Sequence, residues 1–209
     1  MGLRENFRAG LARQLGHPSG LRGRVVGAML NRRNHGPVTA AVAALGLEGG
    51  ETALDIGFGG GLGLALLLRS AGTVHGAEIS TTMLERARRT FRREIAANRL
   101  QLHEGSITAL PLEAGSADAV VTTNTVYFVD DLDGAFAEVA RVLKPGGRFV
   151  LGIGDPEIMS PSPLFTEHGF RIRPVADVEA ALAGAGLEVR RRERLGTGQF
   201  GFHLLVSGK

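Results

Sequence analysis

From Thr52 onward, apolar segments five to seven residues long alternate with longer amphipathic ones. The pattern predicts strands over 52–56, 73–78, 100–104, 118–123 and 148–152, with helices over 61–70, 82–98 and 132–143 between them. Such alternation builds a parallel sheet with helices on both faces. Leu132, Phe136, Val139 and Leu143 recur at helical spacing and mark a core-facing stripe. Thr82 and Glu85 fit a capping box that opens the second core helix. After residue 152 the alternation breaks between Gly154-Asp155-Pro156 and Arg173-Pro174, a proline-rich stretch of the kind that forms a functional loop. Val175 to Ala185 then reads as a helix stopped by Gly186. Leu187–Arg194 and Phe200–Val206 read as strands, and the short Gly196-Thr197-Gly198-Gln199 link between them requires antiparallel pairing.

The first 45 residues stand outside this alternation. Leu3, Phe7, Leu11 and Leu15 have amphipathic helical spacing, ended by Gly16-His17-Pro18. Val25, Val26, Met29 and Leu30 line a second helix over Leu21–Arg33, with Asn34-His35-Gly36-Pro37 as its breaker, and a third helix is expected over Val38–Leu45. Residues 1–45 are therefore expected to form a helical lid or a cap on the sheet, and residues 46–209 one α/β core.

Composition narrows the class. A chain of 209 residues, 44% hydrophobic and 22% charged, has the size and content of one globular domain. No run of 18 apolar residues occurs, so no membrane span is expected. The absence of cysteine excludes disulfides, thiolate nucleophiles and cysteine-held zinc, and a reducing cytoplasm is the simplest setting. Residues 1–36 carry seven arginines against Glu5 alone. That excess would suit an anionic partner or nucleic acid, but it also suits a solvated surface in a chain whose basic residues are nearly all arginine, and nucleic acid is not expected as the partner. The arginines of the second core helix, Arg86, Arg88, Arg89, Arg92 and Arg93, are read as a solvated outer face.

The candidate chemistry lies at the end of the first strand, in Ala53-Leu54-Asp55-Ile56-Gly57-Phe58-Gly59-Gly60-Gly61-Leu62-Gly63. An acid followed by alternating glycines, opening into an apolar helix, suits close approach of bare backbone to a nucleotide-like ligand. The dinucleotide fingerprint requires glycine at i, i+2 and i+5, but counting from Gly57, Gly59 or Gly61 the last position is Leu62, Leu64 or Leu66. NAD is disfavoured on that ground. Glu78 ends the second strand, a placement suited to accepting hydrogen bonds from ribose hydroxyls.

With Glu104-Gly105-Ser106-Ile107, Ala117-Asp118-Ala119-Val120-Val121-Thr122-Thr123-Asn124 and Arg141-Val142-Leu143-Lys144-Pro145-Gly146-Gly147-Arg148-Phe149 in order behind the glycine loop, residues 45–206 resemble class I S-adenosylmethionine-dependent methyltransferases. The resemblance implies a Rossmann-like sheet ordered 3-2-1-4-5-7-6. It implies S-adenosylmethionine as methyl donor, with Asp55, Gly57, Phe58, Gly59 and Gly61 holding the methionine moiety and Glu78 the ribose. Asp55 could equally cap neighbouring amides. Ser106 falls where relatives present an acid to adenine, Ile79 and Ile107 where they pack on its faces, and Asn124 and Thr125 beside the sulfonium.

Methyl transfer is an in-line displacement that needs alignment and a dry site, and a general base only where the acceptor must lose a proton. Tyr127, His35 and His168 are weak candidates for that base, Tyr127 reading better as an aromatic wall. The Asn124-Thr125-Val126-Tyr127 segment lacks the paired prolines of nucleic-acid adenine methyltransferases. Asp130, Asp131 and Asp133 read as a helix start and no metal site is expected. The expected acceptor is a small biosynthetic or secondary metabolite. The alternatives are a non-catalytic nucleoside-binding module, an RNA or protein methyltransferase and an NAD-dependent oxidoreductase, and the oligomeric state stays open.

Overall fold

The structure, a computed structural model, describes residues 34–161, 170–196 and 201–209. The helices expected within 1–33, most of the basic segment and His168 lie outside the described residues.

Seven strands form one sheet: β1 (Thr52–Ile56), β2 (Thr73–Glu78), β3 (Leu100–Glu104), β4 (Ala117–Thr123), β5 (Leu143–Gly154), β6 (Glu188–Leu195) and β7 (Phe202–Gly208). Their order is β3-β2-β1-β4-β5-β7-β6, as the resemblance implied, with β7 antiparallel to both of its neighbours. The chain moves outward from β1 to β2 and β3, then returns to pair β4 with the other side of β1. That reversal opens a crevice at the carboxyl ends of β1 and β4, where ligands of open α/β sheets bind.

Helices α1 (His35–Ala44), α2 (Leu62–Leu67), α3 (Thr81–Thr90) and α4 (Arg92–Ala96) cover one face. On the other face lie α5 (Leu132–Val142) and α7 (Val175–Gly184), with a short α6 (Pro156–Met159) at the end of β5. Residues that alternate along each strand feed two separate cores: Ala53 and Val121 pack with Leu64 and Met83, and Leu54 and Val120 with Phe136 and Leu182. Phe136 and Phe149 are fully buried, with ring centroids 6.1 Å apart.

Several boundaries differ from the sequence reading. The third helix begins at His35, because Pro37 falls in its first turn, where no intrahelical amide is needed. The helix expected over 61–70 is regular only over Leu62–Leu67, and Arg99 donates to the carbonyls of Leu68, Ala71 and Gly72 just beyond it. The helix expected over 82–98 divides at Phe91, whose backbone leaves the helical region at φ −103°, ψ 29°. Its cap is Ser80 rather than Thr82, the Ser80 hydroxyl accepting from Met83 N at 3.4 Å. Three consecutive hydroxyl residues made that position ambiguous. Arg88, Arg89, Arg92 and Arg93 are exposed as expected. Asp131 caps α5 by accepting from Gly134 N at 2.9 Å.

The buried pair sets a stability expectation. Phe136→Ala should lower unfolding free energy by about 3–5 kcal/mol in a urea titration, whereas Arg88→Ala on the exposed face should change it by less than about 0.5 kcal/mol.

Candidate functional site

The turn after β1 is held by backbone and by one acid. Gly57 N donates to Ala77 O at 2.8 Å, and Gly57 itself has φ +69°. A side chain there would meet Thr125 Oγ1 at 2.6 Å, so β4's exit leaves room only for glycine. Gly61, at φ +81°, caps α2. The Glu78 carboxylate bridges the two neighbouring turns: Oε2 accepts from Gly59 N at 2.9 Å and Oε1 from Ser80 N at 3.0 Å. A carboxylate has about four lone-pair sites, so two remain for ligand hydroxyls.

Asp55 lies directly beneath the loop, 5% exposed. A Cβ on Gly63 would meet its Oδ2 at 2.2 Å, so the first turn of α2 packs hard against this carboxylate. Burial, and then the charge of Glu78, push Asp55 up to about 7. A cation bound here would oppose both by favouring the charged carboxylate.

Across the crevice, β4 supplies hydroxyls. Thr122 Oγ1 donates to Ile56 O at 2.7 Å and lies 2.8 Å from Thr125 Oγ1, tying the end of β4 to the end of β1. Thr122 is fully buried, and the sequence reading did not single it out; a hydroxyl in an otherwise apolar strand was the available signal. Asn124 holds a left-handed backbone at φ 59°, a conformation asparagine tolerates better than most residues. Thr125 and Asn124 thus stand beside the glycine turn.

The remaining expected residues divide. Ile79 is 41% exposed, the exposed large hydrophobic of the described residues, next to Glu78. Ile107 is buried in the core that contains Ala77 and Leu110. Ser106 accepts from Thr108 N at 3.3 Å in a tight turn after β3. Phe58 is buried against the α1–α4 face. Tyr127 is also buried: its hydroxyl accepts from Gly154 N and donates to Asn124 Oδ1 at 3.4 Å, and burial pushes the phenol well above its usual range. Its ring packs with Phe128 and Phe170. His35 is exposed in the first turn of α1. No group of three or more metal-ligating side chains occurs among the described residues, and none of their helices is long and apolar enough to cross a membrane.

Residues 54–151 match a family model described as "Methyltransferase domain". The chain is 31% identical to an uncharacterized methyltransferase, YdaC, of Bacillus subtilis, over 66% of this chain and 74% of that protein. It is 36% identical to a demethylmenaquinone methyltransferase of Tropheryma whipplei, over 54% of this chain and 45% of that protein. It spans 32% and 20% of two other curated relatives. Among solved structures, geranyl diphosphate C-methyltransferase of Streptomyces coelicolor, crystallised with Mg2+ and S-adenosyl-L-homocysteine, superposes with a TM-score of 0.72 at 20% identity, over 93% of this chain and 83% of that one.

The Asp55 shift has a definite sign. A carboxyl whose folded pKa is raised leaves the ligand-free fold most stable below its unfolded value near 4, and that contribution is lost as pH rises through about 7. Asp55→Asn removes the ionisation. The variant without ligand should therefore be more stable than the parent at pH 8, by on the order of 2–4 kcal/mol, and the two should converge near pH 4 in thermal unfolding.

Proposed function

This chain belongs to the S-adenosylmethionine-dependent methyltransferases, and from that premise we propose that it methylates a small biosynthetic or secondary metabolite seated over the carboxyl ends of β4 and β5. The observation that carries the reading is the pair of buried carboxylates, Asp55 and Glu78, flanking the glycine turn at the reversal of strand order. Enzymes of this family take S-adenosylmethionine as methyl donor, and the residues present fit it.

Asp55, buried with no cation beside it among the described residues, holds the ammonium of the methionine moiety, and the open backbone from Gly57 to Gly61 lets the ligand chain lie close. The two unused lone-pair sites of Glu78 accept from the ribose hydroxyls. Exposed Ile79 packs on one adenine face, and the Ser106 turn stands where the adenine amino group would reach, with Ile107 behind it in the core. Asn124 and Thr125 line the sulfonium side. When bound, the donor supplies an electrophilic methyl on a sulfonium; the protein aligns the acceptor with it and excludes water.

The acceptor side is aromatic. Tyr127, Phe128 and Phe170 pack together, with Phe128 and Phe170 centroids 4.7 Å apart, and Arg173 binds the carbonyls of Val126 and Val129 to hold Phe170's segment against them. A wall of this kind suits an apolar acceptor, in keeping with relatives named for demethylmenaquinone and geranyl diphosphate. With its phenol pushed up and both of its partners in place, Tyr127 acts as a wall and a tie to Gly154 rather than as a base.

The lid role expected of residues 1–45 falls to those ahead of α1, because α1 itself packs on the sheet face. Below the sheet, Arg148 donates to Gly46 O at 2.9 Å and to Glu51 Oε1 at 3.1 Å, so α1 ends at the amino-terminal edge of the strands.

Thermal unfolding with S-adenosylmethionine, S-adenosylhomocysteine and NAD side by side should show stabilisation by the first two alone. Glu78→Ala should weaken both by at least about tenfold, each such factor corresponding to about 1.4 kcal/mol. Stabilisation by NAD alone would return the oxidoreductase reading. Removing residues 1–33 should abolish methyl transfer while cofactor affinity falls much less; unchanged turnover would remove the lid.

A further inference from the structure

The connection from β3 to β4, residues 105–116, contains no helix, and the helices packed on β2 and β3 (α2, α3 and α4) lie on the opposite face. Val74, Leu100 and Leu102 point to that covered face. Side chains alternate along a strand, so His75, Gln101 and His103 share the other one. In register, His75 pairs with Gln101 and Ala77 with His103, which makes the two histidines diagonal neighbours. Both are half-buried. Their rings stack with centroids 5.2 Å apart and an interplanar angle of 21°, and His75 Nδ1 lies 2.9 Å from His103 Nε2.

Two ring nitrogens facing one another can share one proton in a single hydrogen bond. If the donor ring takes its other tautomer, both lone pairs converge on the same point, and each ring keeps its proton on the nitrogen turned away. No proton is lost from the pair. With metal–nitrogen bonds of about 2.0–2.1 Å, two imidazoles on a tetrahedral ion stand about 3.3 Å apart. The observed gap needs to open by only a few tenths of an ångström. Burial holds both imidazoles below the ordinary histidine range, joined for His75 by the charge of its partner.

We propose that His75 and His103 chelate a divalent transition metal ion on the helix-free face of β2 and β3, with water completing its coordination. Two imidazoles and no carboxylate select Cu2+, Ni2+ or Zn2+ over Mg2+ or Ca2+, and Cu2+ binds most tightly. The ion clamps the edge strand onto β2 three residues before Glu78, on residues separate from the glycine turn.

The test uses the untagged full chain. Zn2+ and Ni2+ should raise its unfolding temperature by about 3–6 °C at saturation, Mg2+ should not, and His75→Gln and His103→Gln should each abolish the rise while unfolding cooperatively without metal. Imidazole nitrogen NMR of the unaltered chain probes the site without any substitution: Zn2+ should shift His75 Nδ1 and His103 Nε2 together. A thermal shift that survives in both variants belongs to other histidines and overturns the site. So does an unchanged nitrogen spectrum, which leaves the pair a hydrogen-bonded strut.

Discussion

Close approach of three backbones at the end of β1 is the constraint on which the rest of the site depends. The turn after Ile56 passes so near Thr125 that Gly57 has no room for a side chain, and α2 starts so near Asp55 that Gly63 has none either. Such tightness brings the ends of β1, β2 and β4 into one small region and leaves two carboxylates buried there. One of them, Glu78, is satisfied by the amides of Gly59 and Ser80. The other, Asp55, resists ionising. A ligand with a cationic end and paired hydroxyls, the donor proposed above, would meet both conditions at once.

The sheet makes that cost tolerable. Two cores, one on each face, pack the strands beneath the turn with fully buried side chains such as Leu54, Leu64 and Phe136. Several long-range polar ties sit at strand and helix ends: Lys144 with Asp118, Arg148 with Glu51, Arg194 with Asp155. Placed there, they hold the loops in position and leave the apolar layers dry. Beyond β4, Tyr127, Phe128 and Phe170 pack ring against ring, the surface proposed above for the acceptor.

Much of the fold was legible because its signals are local. Strand and helix periodicity marked every element of the sheet, and Gly186 and Asp131 announced their roles through the chemistry of helix ends. Boundaries slipped where two signals competed. Ser80, Thr81 and Thr82 all offer a capping hydroxyl, and Pro37 reads as a breaker although a first turn accepts it. The site was half legible. Asp55, the glycines and Glu78 declared themselves by position after strands, while Thr122 did not, because it acts on backbone far away in the chain.

By itself, then, the sequence determined the succession of strands and helices, the glycine turn and the acids that border it, all of which depend on neighbours a few residues apart. Only the tertiary structure decided that the Glu78 carboxylate closes on Gly59, that Thr122 reaches Ile56, that burial raises Asp55 to about 7 and that His75 meets His103. Those contacts join residues about 20 to 70 positions apart. They exist because strand register and close packing place them together, and neither is written in any short stretch of the chain.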